Sequence, residues 1–262
     1  MKNRKAAYHR NKAMIKASIR DIYHSHGGVD GYRTMQVYLR RKGTYISCAT
    51  VHKYMNTEMQ LFSVSRRKKP GYVHGAAHKV YDNRLKQNFH AKKRNRKWCT
   101  DFTYLTLADG RKRYNCTIID LYDRSVIASI TDRNITSDLA KRTLEKAIRS
   151  QSGIDLKQLI LHSDQGSQYT SREFTEFCIE KGITQSMSKA GYPYDNAPME
   201  RYFNTLKTEL IYQHNYRTET ELYSAIEEFA YVHYNHVRPH SYNNYKTPFE
   251  TRYGRYKPDT KI

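Results

Sequence analysis

The stretch LKQLILHSDQGSQYTS, residues 156–171, carries the reading on which the fold turns. Its opening LKQLIL has the makeup of a short strand buried in a sheet. Asp164 stands where that strand ends, Gly166 permits a tight turn, and Thr170 with Glu173 forms a capping-box pattern that predicts a helix from about Thr170. Working outward, WCTDFTYLTL, RYNCTIIDLY and SVIASIT predict three successive strands, joined by turns at ADGRK and YDRS. A helix, SDLAKRTLEKAI, separates them from the quoted strand. Beyond it come a short strand, GITQSMS, a flexible GYPYDNAP segment, and a long helix from about Pro198. Three antiparallel strands followed by alternating helix and strand predict an α/β fold, a mixed sheet flanked by helices.

The first 60 residues read differently. Ile15, Ile19, Ile22 and Tyr23 form a helical stripe that Gly27 and Gly28 end. A second helix over DGYRTMQVYLRRKG turns Tyr32, Met35, Tyr38 and Leu39 inward, and a third starts at Ser47 as N-cap, carrying Val51, Tyr54 and Met55. Three short helices with a tight turn between the last two predict an all-α module of helix-turn-helix type. Its cations Arg33, Arg40, Arg41 and Lys53 are candidate DNA contacts. Residues 61–94 read as a basic linker, in which Arg66, Arg67, Lys68 and Lys69 are further candidates. His74 and His78 read as solvated histidines, since no C-x-x-C completes a zinc site. The core is expected over residues 95–255, with a short tail at 256–262.

Charge follows the same division. Of the +21 net charge, residues 1–97 hold +20, with 24 Lys and Arg against 4 Asp and Glu, while residues 98–262 hold +1. So one-sided an excess points to a polyanion partner such as DNA, bound through phosphate neutralisation. The four cysteines are scattered, which argues against a disulfide framework and against a four-thiolate zinc site. No apolar run is long enough to span a bilayer and no signal-peptide pattern opens the chain, so a cytoplasmic protein is expected.

Three acids occupy comparable positions: Asp101 within the first strand, Asp164 at the end of the fourth, and Glu200 in the first turn of the long helix, with 35 residues between the last two. Carboxylates gathered at one sheet edge repel one another unless a cation sits among them, and oxygen ligands suit Mg²⁺ or Mn²⁺. In MERYFNTLKTELI, Met199, Phe203, Leu206 and Leu210 form a core stripe beside a polar stripe of Glu200, Asn204 and Lys207. Lys207 can then hold a substrate phosphate. Two more acids, Asp120 and Asp123, end the second strand. Asp120 is either an addition to the metal site or a turn-forming, structural residue.

TDFTYL, HSDQGSQYTS and YDNAPMERYFNTLKTE together resemble the three blocks of DDE transposases and retroviral integrases, including the 35-residue gap and the lysine seven places after the glutamate. The closing HYNHVRPHSYNNYKTP, with Tyr234, Asn235, Arg238, Pro239, His240, Thr247 and Pro248, is similar to the terminal signature of insertion-sequence transposases. The resemblance is to the OrfB-type catalytic protein of the insertion sequence three family. It implies a ribonuclease H-like catalytic core that uses two metal ions, held by Asp101, Asp164 and Glu200, to cleave DNA 3′ ends and join them to a target. Asn204, Lys207, Gln165, Ser167 and Gln168 then face the DNA backbone. It also implies a homo-oligomer, at least a dimer on DNA, and a partner or fusion supplied by an upstream reading frame, since no sustained heptad repeat is visible here. A catalytically inactive DNA-binding regulator, a nuclease that hydrolyses without joining, and a recombinase with a covalent tyrosine or serine intermediate remain as alternatives.

Overall fold

The computed structural model describes residues 2–64, 80–189 and 192–254, and the chain divides into two compact units, Met1–Arg67 and Lys68–Ile262. Arg66, Arg67, Lys68, Lys69, His74, His78 and the tail 256–262 lie outside the described residues.

In the first unit, α1 (Lys2–Ser25) is followed by α2 (Tyr32–Arg41) and α3 (Cys48–His52), which continues as a wider helical turn to Glu58. The first helix is far longer than its apolar stripe, because the Lys-rich and Ala-rich residues ahead of the stripe are good helix formers. Ser47 caps α3 by accepting the Thr50 N–H at 3.1 Å. Ile19, Ile22, Met35, Leu39, Val51 and Met55 close one small core. Glu58 ties the end of the third helix to the first through Lys12 and Lys16, each at 2.9 Å. These two lysines hold the Glu58 carboxyl down at about 2.

The second unit is built on a five-stranded sheet in the order β3-β2-β1-β4-β5, comprising β1 (Lys97–Thr106), β2 (Lys112–Asp120), β3 (Val126–Asp132), β4 (Ile160–Ser163) and β5 (Thr184–Met187). The first three strands are antiparallel, while β4 and β5 run parallel to β1. The strand expected from LKQLIL is short, since Leu156–Gln158 forms a turn of 3-10 helix capped by Asp155.

One face of the sheet is covered by α4 (Ser137–Ser150), a single turn α5 (Ser167–Thr170) and α6 (Arg172–Glu180), with Trp98, Ile118, Leu144, Leu161, Tyr169 and Phe174 among the buried residues. The expected Thr170 cap is not formed: Ser171 caps α6 by accepting the Phe174 N–H. The buried Thr170 hydroxyl donates instead to the carbonyls of Gly166 and Ser167. A one-residue shift of this kind follows when the better-placed of two adjacent hydroxyls takes the cap.

The other face is covered by α7 (Ala197–Glu209) and by α8 (Glu219–Glu227), which continues as a wide helix to Val237, and α9 (Pro248–Tyr253) packs on that wide helix. Cys99, Ile119, Met199, Tyr202, Phe203, Leu206, Phe229 and Tyr234 form this core, which also takes in Leu85 and Ala91 from the segment ahead of β1. No helix among the described residues is long and apolar enough to cross a membrane.

Candidate active site

Sheet register brings the first two acids together. The parallel pair Cys99↔His162 is the last of the β1–β4 ladder, and Asp101 and Asp164 each lie two residues beyond it. Side chains two apart on a strand share a face, and Cys99 lies in the core that α7 covers. Both acids therefore stand at the same level of adjacent strands, Asp101 inside β1 and Asp164 just past the end of β4, towards the side on which α7 lies. That helix is held down by Met199, Tyr202, Phe203 and Leu206, and Glu200, Asn204 and Lys207 are half-buried along its flank. Asn196, just ahead of the helix, donates its side-chain amide to the Thr100 carbonyl at 3.5 Å, tying the helix start to β1.

The charges register this convergence. Burial pushes the Asp101 carboxyl well above the ordinary aspartate range, and the Asp164 charge and then Glu200 push it further. The Phe102 N–H, at 2.7 Å, and Lys207 oppose the rise. The four side chains named from sequence thus share one electrostatic neighbourhood. Among the described residues no three His, Cys, Asp or Glu side chains stand closed into a ready metal cage, so the acids are neighbours without being drawn onto a common point. Their donor chemistry fits a hard divalent cation: carboxylate oxygens whose mutual repulsion such a cation would relieve.

Gly166 shapes the middle acid. Asp164 Oδ1 accepts the Gly166 N–H at 2.9 Å. A Cβ on residue 166 would stand 2.9 Å from that oxygen and 3.0 Å from Gln168 Oε1. Its φ is −56°, so the glycine is required by close approach and not by a left-handed backbone. Gln165 and Gln168 are half-buried around this turn and Ser167 is exposed. In the separate N-terminal unit Arg33, Arg40, Arg41 and Lys53 are all exposed.

Asp120 is structural. Its carboxylate accepts the N–H groups of Asn95, at 2.7 Å, and Tyr122, at 2.9 Å, and meets Arg252 of α9 at 3.0 Å. Arg252 also meets Asp123 at 2.7 Å, and all three side chains are buried. The terminal signature proves to be a set of latches. Asn235 pairs with both the N–H and the carbonyl of Val126, at 2.9 Å each, and Arg238 grips Glu209 through two bonds of 2.8 and 2.7 Å. Thr247 and Glu250 form a capping box at α9.

Two residues inside the quoted motifs went unnoticed as site residues. His162 is wholly buried, with Nε2 2.8 Å from the Asp195 carbonyl and Nδ1 2.9 Å from Ser186 Oγ. Burial lowers its pKa. A carbonyl only accepts, so the proton is on Nε2 and Ser186 donates to Nδ1. Asp195 is buried ahead of α7. Their only signal in the sequence was position within the motif blocks.

A sheet of this order, with one acid inside its central strand, a second just past the end of the neighbouring strand and a third on the helix beside them, defines an integrase-type core of ribonuclease H-like fold. Two family models, each described as "Integrase core domain", match residues 91–193 and 181–248, and one described as "HTH-like domain" matches residues 9–69. The putative transposase InsK for insertion sequence element IS150 of Escherichia coli is 33% identical over 246 residues, covering 94% of this chain and 85% of that protein. The transposase for insertion sequence element IS904 of Lactococcus lactis is 30% identical over 239 residues, covering 90% and 92%. A chain of the simian T-cell lymphotropic virus intasome, solved in complex with PP2A regulatory subunit B56 gamma, aligns with a TM-score of 0.53 over 85% of this chain and 72% of that one. At 19% identity that likeness is one of fold. The chain belongs to the integrase-core transposases of insertion sequences.

Proposed function

We propose that the protein is the transposase of an insertion sequence, a polynucleotidyl transferase that cleaves the 3′ ends of its element and joins them to target DNA. The observation that carries this reading is the strand register that sets Asp101 beside Asp164, together with the charges of Asp164, Glu200 and Lys207 that all act on the buried Asp101 carboxyl. Asp101, Asp164 and Glu200 would hold two Mg²⁺ or Mn²⁺ ions, which when bound stabilise the entering and departing oxygens of an in-line displacement at phosphorus. The chain's own part is placement. Lys207 neutralises a phosphate oxygen beside the acids, and Asn204, Gln165, Ser167 and Gln168 contact the backbone on either side.

In the first step a water oxygen bonds to phosphorus as the phosphorus–3′-oxygen bond breaks, leaving a 3′-hydroxyl and a 5′-phosphate. In the second, that 3′-oxygen bonds to a target phosphorus and displaces another 3′-oxygen, so each phosphodiester broken in joining is replaced by one formed. No bond to protein is needed. The N-terminal module, through Arg33, Arg40, Arg41 and Lys53, together with the basic run Arg66, Arg67, Lys68 and Lys69, binds the element ends. Residues 1–60, 61–94 and 95–255 would serve as recognition module, basic linker and catalytic core. The active form on DNA is at least a dimer, and an upstream-frame protein or fusion contributes further end recognition.

The test is a labelled element end incubated with Mg²⁺. Asp101→Asn, Asp164→Asn and Glu200→Gln are each expected to abolish cleavage and joining while leaving end binding intact. Full strand transfer by any one of them refutes the assignment. Cleavage without joining would make the wild-type protein a hydrolytic nuclease, and binding with neither would make it a regulator. A covalent protein–DNA adduct would move it to another class of recombinase.

A further inference from the structure

Asp195 lies in a single 3-10 turn, Pro193–Asn196, that leads into α7 five residues ahead of Glu200. Asp195 is only 5% exposed, so its carboxylate has to be met by donors of the protein. Asp195 Oδ1 accepts from the Gln87 amide at 2.9 Å, and Oδ2 accepts from the Asn83 amide at 2.9 Å and from the Lys189 N–H at 3.1 Å. Its main-chain oxygen accepts from His162 Nε2 at 2.8 Å. His162 is in turn fixed by Ser186, whose hydroxyl oxygen accepts the Arg84 N–H at 2.9 Å. One residue therefore joins four segments: residues 83–87, the end of β4 two residues before Asp164, the exit of β5, and the start of the Glu200 helix.

That helix needs such an anchor. It starts without a side-chain cap, since Asn196 at the N-cap makes no capping bond. Its first turn, which carries Glu200, is therefore not held by the usual device of a helix end. The core contacts of Met199, Tyr202, Phe203 and Leu206 set the axis of the helix, but the clamp at Asp195 sets where its first turn stands against β4.

We propose that Asp195 is a positioning residue: its carboxylate gathers Asn83, Gln87 and the Lys189 N–H, its carbonyl takes His162, and together they hold Glu200 in place opposite Asp164. This rests on the reading of Asp101, Asp164 and Glu200 as the metal-holding acids. The role is geometric. Every donor on the Asp195 carboxylate is a neutral amide, so what the site requires is two accepting oxygens, and outer residues that orient metal-holding groups typically change affinity about 10- to 100-fold when lost.

The experiment uses the full chain and compares Asp195→Ala with Asp195→Asn. Alanine removes every side-chain acceptor. Asparagine keeps the shape, because the exposed Gln87 amide can turn over and accept where it had donated. Three readouts are taken: Mn²⁺ affinity from the free-ion electron paramagnetic resonance signal, end-DNA affinity, and the Mn²⁺ concentration for half-maximal cleavage. The alanine variant is expected to need about tenfold more Mn²⁺ or higher in both metal readouts, with end-DNA affinity unchanged, and the asparagine variant to behave like wild type. Should Asp195→Ala unfold, as seen by Trp98 fluorescence, the double variant Asn83→Ala with Gln87→Ala removes two of the three donors and carries the same expectation. Wild-type Mn²⁺ affinity in the loss variant overturns the proposal. So does an asparagine variant as impaired as the alanine one, which would make charge the requirement. Glu200→Gln separates the two levels: if it too binds Mn²⁺ and cleaves like wild type, the site reading fails and the positioning role with it; if it is inactive while Asp195→Ala is normal, only the positioning role fails.

Discussion

Replacing Arg252 by methionine offers the sharpest test of how the second unit is closed. The Arg252 side chain is 3% exposed and the two carboxylates it meets, Asp120 and Asp123, are fully buried. It also donates to Asn95 Oδ1 at 2.8 Å and to Gln151 Oε1 at 2.5 Å. Methionine fills much of the same volume and leaves two carboxylates without their cation. Removing one partner of a buried ion pair costs about 3 to 5 kcal/mol, because the remaining charge stays desolvated. For a unit of this size each kcal/mol lowers the unfolding temperature by about 2 to 4 °C, so a fall of roughly 6 to 20 °C is expected.

The assay is built into the chain. Trp98 is the sole tryptophan and is wholly buried in β1, so its fluorescence reports unfolding of this unit alone. The deficit should also depend on pH. Burial and then the Asp123 charge raise the Asp120 pKa above its usual value, with Arg252 pulling it down. A carboxyl whose folded pKa is raised adds stability below its unfolded pKa and loses it as pH rises through the folded value. Without Arg252 that loss deepens, so the gap between variant and wild type should widen from acid towards neutral pH. A cost of less than about 1 kcal/mol, the range of exposed pairs, or a gap indifferent to pH, would refute the description of a buried clasp.

Other expectations follow from the same geometry. Glu58, held at about 2 against an ordinary 4.5 by Lys16 and Lys12, contributes stability that is present above its unfolded pKa and lost as pH falls from 4.5 to about 2. A carboxyl titration by nuclear magnetic resonance should give a midpoint near 2, moving towards 4.5 when both lysines become methionine; an unmoved midpoint would contradict the pairing. Gly166→Ala should displace the Asp164 carboxylate from the Gly166 N–H and slow cleavage by about ten- to a hundredfold, with the Trp98 unfolding midpoint little changed; full activity would mean the close approach is immaterial. Converting Arg33, Arg40, Arg41 and Lys53 to glutamine should flatten the dependence of end binding on salt, by at most about 0.9 in log–log slope for each DNA phosphate that is no longer neutralised. An unchanged slope would place the DNA elsewhere.

Much of the architecture was legible because it is written in local periodicity. Alternation marked β1, β2 and β3, the i, i+4, i+7 stripe marked α7, and Ser47 announced α3, since side-chain direction repeats every two residues in a strand and every 3.6 in a helix. The acids stood out because a carboxylate in or at the end of an apolar strand is conspicuous. Local signals misled where two similar groups competed, as when Ser171 took the cap expected of Thr170, and where a short segment was over-extended, as when Leu156–Gln158 of the expected strand formed a 3-10 turn.

What the sequence by itself determined, then, is which segments become strands and helices, where the basic charge is concentrated, and which acids lie in or just after apolar strand segments. Only the tertiary structure decided what those residues face. The register Cys99↔His162 brings Asp101 and Asp164 together. Burial on Arg252 turns Asp120 from a candidate ligand into half of a clasp. The convergence of Asn83, Gln87 and His162 makes Asp195 a hub between segments over a hundred residues apart. Hydrogen bonds and ion pairs act over about 3 Å in space and are blind to separation along the chain, so no pattern of neighbouring residues can encode them.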